Sequence, residues 1–150
     1  MIIDIGAIKY NKLHAIGSKV NCEARGLTKE VIMAMESEKG FKTWKFDTTV
    51  EILQLLDKHR PTYCTLACDG GNLWRKDIFK EYKMNRTEAK EKLPIDWNLF
   101  EKTVLELFTE LTNYLPVRML HIPRIEADDI ATVLTEKLHK EHDILAIADD

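Results

Sequence analysis

Four short apolar runs recur along the chain and predict the strands of a β-sheet. They are rich in Ile, Val, Leu and Cys, and they cover residues 2–8, 62–68, 117–122 and 144–148. The first and last runs show no clean polar alternation in their apolar cores, which is typical of strands covered on both faces. We therefore expect a parallel sheet with helices packed on its faces.

Segments with apolar residues at helical spacing separate these runs. Asp47 and Asp96 each precede such a segment as a candidate N-cap, and Pro116 ends the second helix. A third helix is predicted to begin near Ile125, and Thr28 is the candidate cap of a helix in the less regular region near the N-terminus. The alternation of strands and helices predicts the α/β class.

The composition is that of a folded globular domain. The 150 residues are 45% hydrophobic and 31% charged, with a net charge of −3, and a chain of this length fits one domain, residues 1–150. No apolar run approaches the roughly 20 residues that a membrane span needs, and no signal-peptide pattern is present, so we expect a cytoplasmic protein without a membrane partner. Cys22, Cys64 and Cys68 lack metal-ligand spacing and are predicted to be reduced core thiols.

Acidic residues follow the predicted strands. Asp4, Asp69 and the pair 149–150 end or follow three of the apolar runs, and the fourth run leads into a helix start that carries Glu126, Asp128 and Asp129. Ligands of open parallel sheets bind beyond the carboxyl ends of the strands, so we expect these acids to converge at one edge. Any one of them alone is more often a turn or helix-start residue.

A cluster of carboxylates predicts a bound cation. Two carboxylates at ~4 Å repel by about 4 kcal/mol at an effective dielectric of 20, so several of them require protons or cations. Oxygen ligands without an accompanying His or Cys favour Mg²⁺ or Mn²⁺ over zinc. Helical phase places Glu126 near the apolar side defined by Ile130 and Val133, where a carboxylate needs a partner.

The stretch 75–92 is locally basic, with seven Lys and Arg residues against four acids. On a helical wheel six of these cations, all but Lys92, share one side with Phe79 and Tyr82, as in segments that contact nucleic acid. A solvated helix braced by ion pairs is the alternative interpretation.

Other enzyme motifs are weak. The five histidines support no catalytic triad, no glycine-rich nucleotide loop occurs, and Gly70–Gly71 is predicted to be a tight turn. A receiver-like phosphoacceptor domain would also use acids at strand ends, but that chemistry needs a lysine after a late strand and the chain offers no obvious candidate.

Two motifs resemble the 5′ nuclease superfamily of flap endonucleases and 5′ to 3′ exonucleases. They are Tyr-Lys-x-x-Arg at 82–86 and Glu-Ala-Asp-Asp at 126–129, within the longer similar segments 73–86 and 125–131. The resemblance is strongest to the RNase H branch of T-even bacteriophages, which removes RNA primers during lagging-strand synthesis. It implies a PIN-like parallel sheet flanked by helices, with a basic helical arch at about 72–93.

The resemblance also implies roles for individual residues. The acids of a two-metal centre holding Mg²⁺ or Mn²⁺ would be Asp4, Asp69, Glu126, Asp128 and Asp150, with Asp129 as a supporting acid. Lys83 and Arg86 would be catalytic, because they would offset charge on the scissile phosphate. The nucleic-acid-binding residues would be Arg75, Lys76, Lys80, Tyr82, Lys83, Arg86 and Lys90.

The implied reaction is metal-dependent hydrolysis of phosphodiesters in DNA with 5′ ends or flaps, or in RNA–DNA hybrids. Replication proteins such as a single-strand-binding protein or a clamp are the implied protein partners. The family continues beyond the position of Asp150 with further metal-binding acids and a duplex-binding element, so that part of the fold is expected to be absent. One alternative is therefore an incomplete N-terminal fragment that needs a separately encoded C-terminal chain, and another is a generic PIN-type ribonuclease.

Overall fold

A computed structural model describes residues 1–84, 90 and 92–148 of the chain. Its four strands form one parallel sheet, and their bounds are Ile2–Asp4 (β1), Cys64–Cys68 (β2), Val117–His121 (β3) and Ala146–Ile147 (β4). The longer helices are Ile5–Ile16 (α1), Lys19–Arg25 (α2), Lys29–Glu38 (α3), Lys42–His59 (α4), Trp97–Tyr114 (α6) and Ala127–Leu138 (α7). A single helical turn, Arg75–Ile78 (α5), follows β2. The predicted α/β class with a parallel sheet is confirmed.

The strand order is β3-β2-β1-β4, which fixes where the sheet can bind a ligand. The chain moves outward from β1 through β2 to β3, and then crosses back to place β4 on the other side of β1. The order therefore reverses between β1 and β4. Binding crevices of open parallel sheets form at such reversals, outside the carboxyl ends of the strands.

The first strand is shorter than its apolar run predicted. The run 2–8 was expected to be a strand, but β1 ends at Asp4 and α1 begins at Ile5. Ile5 and Ile8 are both buried, three residues apart on one side of the helix. A continuous apolar run does not distinguish a buried strand from the buried side of a helix, which is why the prediction failed here.

The predicted caps agree with the structure at two of three positions. Thr28 accepts a hydrogen bond from the Val31 amide at 3.4 Å, and Asp96 accepts one from Leu99 at 2.9 Å. Asp47 is not an N-cap, because α4 begins at Lys42 and contains it. The start of α4 is instead capped from α3, where the Glu36 carboxylate accepts the Trp44 amide at 3.0 Å.

Contacts divide the chain into two compact units. The first comprises residues 1–8, 59–82 and the described residues from 109 onward, and it contains the sheet and α7. Here α7 packs on β1 and β2, and the apolar cluster between them includes Ile2, Ala67, Ala127 and Ile130. This packing fixes the start of α7 beside the strand ends.

The second unit comprises residues 9–58 and the described residues of 83–108. Its core is aromatic: the Phe100 ring lies 4.9 Å from that of Phe41 and 5.0 Å from that of Trp44, with edge-to-face geometry. The Trp44 indole N–H donates to the Lys9 carbonyl at 2.9 Å, so its polar atom is satisfied in the core.

Two smaller expectations can be compared with the structure. Cys64 and Cys68 are buried free thiols as predicted, whereas Cys22 is only partly buried, on a helix without buried residues, and is not a core thiol.

None of the helices in the described part of the chain combines the length and apolarity needed to cross a membrane.

Candidate metal and nucleic-acid site

The loops after β2 and β3 are pressed together beyond the strand ends. The Gly70 amide donates to the Ile125 carbonyl at 2.7 Å, and a Cβ on Gly70 would lie 2.1 Å from the Ile122 carbonyl oxygen. Only glycine fits this approach. The contact brings Asp69 against the start of α7, where its carboxylate accepts the Ala127 amide at 2.8 Å.

Asp4 ends β1 on the same edge of the sheet. Its carboxylate accepts the Gly6 amide at 2.7 Å, and a Cβ on Gly6 would lie 2.9 Å from that same oxygen. Burial raises the pKa of Asp4, and the negative charges of Asp69 and Asp128 raise it further, against the opposing effect of the Gly6 hydrogen bond. Asp4 therefore lies close enough to Asp69 and to Asp128 to be repelled by both.

The other two acids at the start of α7 are held by an arginine. Arg75 donates to both oxygens of Asp129, at 2.6 and 2.7 Å, and also pairs with Glu126. The Tyr82 hydroxyl donates to Glu126 at 3.0 Å. The Arg75 hydrogen bonds lower the pKa of Asp129 to about 2, and the same acids raise the pKa of Arg75.

The partner of Glu126 is thus a residue that the sequence analysis assigned to phosphate contact. The predicted apolar phase of Glu126 is correct, since the residue is 3% exposed and caps α7. The position of Glu126 on the apolar side of the helix predicted that its carboxylate needs a partner. Helical spacing could not indicate which of the seven cations in the stretch 75–92 is that partner.

The basic stretch does not form one continuous helix. The turn α5 ends at Ile78, Phe79 is extended, and Lys83 has a positive φ of 57°. A single helical face from Arg75 onward is therefore wrong for the described residues. The anchoring of this segment explains the difference, because the Trp74 amide donates to the Arg124 carbonyl at 3.1 Å and Arg75 is bound to the acids.

The remaining predicted nucleic-acid residues differ in environment. Lys76 and Lys80 are exposed, together with the apolar side chains of Ile78 and Phe79. Lys83 is half-buried in a turn. In the second unit, the Lys90 ammonium lies over the Tyr10 and Trp97 rings and 3.7 Å from Glu101. The predicted roles of Arg86 and Asp150 fall outside the described residues.

The acids fit a hard divalent cation by their chemistry, although they are not assembled around one. Within residues 1–84, 90 and 92–148, no three His, Cys, Asp or Glu side chains are arranged to hold a metal ion. The donors at the edge are carboxylate oxygens, and a cation would relieve the repulsion that Asp4 experiences. Asp4, Asp69 and Asp128 would hold it, while Glu126 and Asp129 are bound by Arg75.

Comparison with known proteins identifies the sequence family. A family model described as the 5′-3′ exonuclease N-terminal, resolvase-like domain matches residues 2–150. Ribonuclease H of Enterobacteria phage T4 is 37% identical over 78 residues, which are 51% of this chain and 26% of that protein. A 5′-3′ exonuclease of Aquifex aeolicus (strain VF5) is 27% identical over 109 residues, which are 71% of this chain and 35% of that protein.

A solved structure has the same fold. The T5 D15 protein, co-crystallised with metal ions, superposes with a TM-score of 0.65 at 18% identity, covering 100% of this chain and 47% of that one. The chain thus spans less than half the length of the proteins that it matches.

Proposed function

The chain belongs to the family of 5′-3′ exonuclease N-terminal, resolvase-like domains, and we propose that it contributes the acidic edge at which a phosphodiester is hydrolysed. The substrate would be DNA with a 5′ end or flap, or an RNA–DNA hybrid, as in the removal of RNA primers during phage replication. The observation that carries the proposal is the position of the acids at one sheet edge: Asp4 ends β1, and Asp69, after β2, accepts the Ala127 amide beside Asp128.

The metal would be Mg²⁺ or Mn²⁺, with two ions in a complete site. When bound, such ions supply an activated water and stabilise the leaving oxygen. The chain's own contribution is to hold carboxylate oxygens in a fixed arrangement. The Asp69 carboxylate accepts a hydrogen bond from the Ala127 backbone amide, and the Asp4 carboxylate accepts one from the Gly6 backbone amide. Both carboxylates are therefore positioned by backbone donors.

The basic segment would bind the substrate strand. Lys76 and Lys80 are exposed cations suited to phosphate contact, and Ile78 and Phe79 beside them are exposed apolar surfaces suited to base contact. Lys83 and Arg86 would position the scissile phosphate and offset its charge, a role that we carry over from the family motif.

Cleavage of 5′-labelled flap DNA and of an RNA–DNA hybrid in Mg²⁺ tests this proposal. Asp128→Asn should lower the rate about 100-fold or more, because the carboxylate charge is lost from the site. Asp143→Asn is the matched control, since it removes an exposed acid of the same unit and should cleave at the parent rate. Parent-level cleavage by Asp128→Asn would contradict the site assignment.

A second candidate is a domain that binds substrate but cuts only with additional polypeptide. It is favoured by the limited share of the relatives that the chain covers. Assays of the 150-residue chain alone, and of the chain mixed with the C-terminal half of a relative, distinguish the two candidates. Cleavage by the chain alone would reject the second.

A further inference from the structure

Arg75 occupies an unexpected place for a residue of a basic, substrate-facing segment. Its guanidinium is turned toward the start of α7, where it binds both Asp129 oxygens and one oxygen of Glu126. Glu126 is 3% exposed, and a carboxylate buried to that degree requires a cation or strong donors. Arg75 supplies the cation, and the Tyr82 hydroxyl supplies a further donor at 3.0 Å.

The guanidinium is held in this position by its neighbours. The Trp74 ring lies 4.7 Å from the Arg75 guanidinium carbon, and the Trp74 amide is bound to the Arg124 carbonyl at 3.1 Å. The Arg124 side chain in turn pairs with Asp77, two residues beyond Arg75. The start of the basic segment is therefore tied to the start of α7 by backbone, ring and charge contacts.

A guanidinium and a divalent cation on the same carboxylates are like charges at close range, so each weakens the binding of the other. Both Asp129 oxygens and the Glu126 Oε2 already accept hydrogen bonds from Arg75. We propose that Arg75 is a positioning residue that holds Glu126 and Asp129 in place of a divalent cation and competes with it. The proposal rests on the proposed function, since it assumes that these acids face a metal centre.

Competition of this kind links metal binding to the basic segment. A cation that takes Glu126 releases the Arg75 guanidinium and weakens the attachment of the segment to α7. The released arginine can then contact a phosphate, which is the role that its position in the segment predicted. The arginine also limits the cost of the buried Glu126 carboxylate when no cation is bound.

Thermal unfolding of the chain in EDTA and across a Mn²⁺ series tests the competition without any cleavage assay. Arg75→Met keeps an unbranched apolar stem but removes the guanidinium with its charge and its donors. It should melt at a lower temperature in EDTA, because Glu126 and Asp129 lose their partner. Its apparent dissociation constant for Mn²⁺ should be lower than that of the parent by about 10-fold, which corresponds to about 1.4 kcal/mol.

Two further variants complete the test. Arg75→Lys retains a charge but not the bidentate geometry, so its Mn²⁺ affinity should lie between those of the parent and Arg75→Met. Arg118→Met is the matched control, because Arg118 is an exposed arginine of β3 in the same unit. It should leave the Mn²⁺ affinity unchanged.

The possible outcomes separate this proposal from the proposed function. Mn²⁺ affinity in Arg75→Met equal to or weaker than in the parent would overturn competition, and would leave a metal centre that the parent itself demonstrates. Absence of any Mn²⁺ effect on the melting of either protein would overturn both proposals. Tighter binding by Arg75→Met despite its lower stability supports competition, since a merely structural arginine would lower both.

Discussion

Two buried glutamates, one in each unit, are similarly inaccessible to solvent but have different hydrogen-bond partners. Glu36 is 5% exposed and accepts a backbone amide, that of Trp44, at the start of α4. Glu126 is 3% exposed and belongs to the capping box of α7, but its carboxylate is also bound by side chains, those of Arg75 and Tyr82. A backbone donor is fixed by the helix that it begins, whereas an arginine can exchange for another cation. The first glutamate is therefore part of the framework, and the second belongs to an exchangeable site.

Removal of the hydrogen-bond acceptor at Glu36 should have the largest effect on stability. Glu36→Ala leaves the buried Trp44 amide unsatisfied, so we expect it to lower the free energy of unfolding by about 1–3 kcal/mol. Chemical denaturation measures this loss. Glu38→Ala, an exposed glutamate of the same helix, should change stability by less than about 0.5 kcal/mol. Equal effects of the two substitutions would show that the hydrogen bond of Glu36 contributes little.

Substitution by glutamine separates charge from hydrogen bonding. Glu126→Gln removes the charge that pairs with Arg75 and should cost about 1.5 kcal/mol in the absence of metal, because charge-assisted hydrogen bonds are the stronger ones. Glu36→Gln keeps an oxygen acceptor for the Trp44 amide and should cost less than about 0.5 kcal/mol. Denaturation of both variants in EDTA checks the difference. A larger loss for Glu36→Gln would reverse our interpretation of the two sites.

The free energy of unfolding at low pH should depend on the contact between Arg75 and Asp129. The pKa of Asp129 is lowered from 3.8 to about 2, so the unfolded chain binds more protons in that interval. The contribution is present above pH 3.8 and is lost as the pH falls through about 2. Urea midpoints between these pH values should fall less steeply in Arg75→Met than in the parent. Parallel slopes would mean that Asp129 is not stabilised by Arg75.

The smallest effect on stability is expected from substitution of Asp4, and this substitution should stabilise the fold instead of destabilising it. Burial and the charges of Asp69 and Asp128 raise the pKa of Asp4 from 3.8. Ionisation of Asp4 therefore lowers the stability of the fold as the pH rises above 3.8, and the loss is complete once the pH exceeds the raised pKa. Asp4→Asn can keep an acceptor for the Gly6 amide, so it should raise the melting temperature slightly at neutral pH without metal. The proposed function predicts that the same variant loses cleavage. A lower melting temperature would show that the ionised carboxylate stabilises the fold.

Much of the framework could be predicted because it depends on local pattern. The apolar runs predicted the strand positions, and Asp96 and Thr28 capped the helices that follow them. The cap of α4 could not be predicted in this way, because Glu36 reaches it from another helix. The end of β1 was also missed, since the apolar residues after Asp4 suit a buried helix as well as a strand.

The order of residues alone predicts that acids follow the strands of a parallel sheet, and that a basic stretch follows one of those acids. It also places Glu126 on an apolar side, where a partner is required. The identity of that partner, Arg75, depends on tertiary structure, because the close approach of the loops at Gly70 and the anchoring of Trp74 bring this cation to the start of α7. Helical periodicity does not distinguish among the cations of the stretch 75–92, whereas packing brings Arg75 into contact with Glu126.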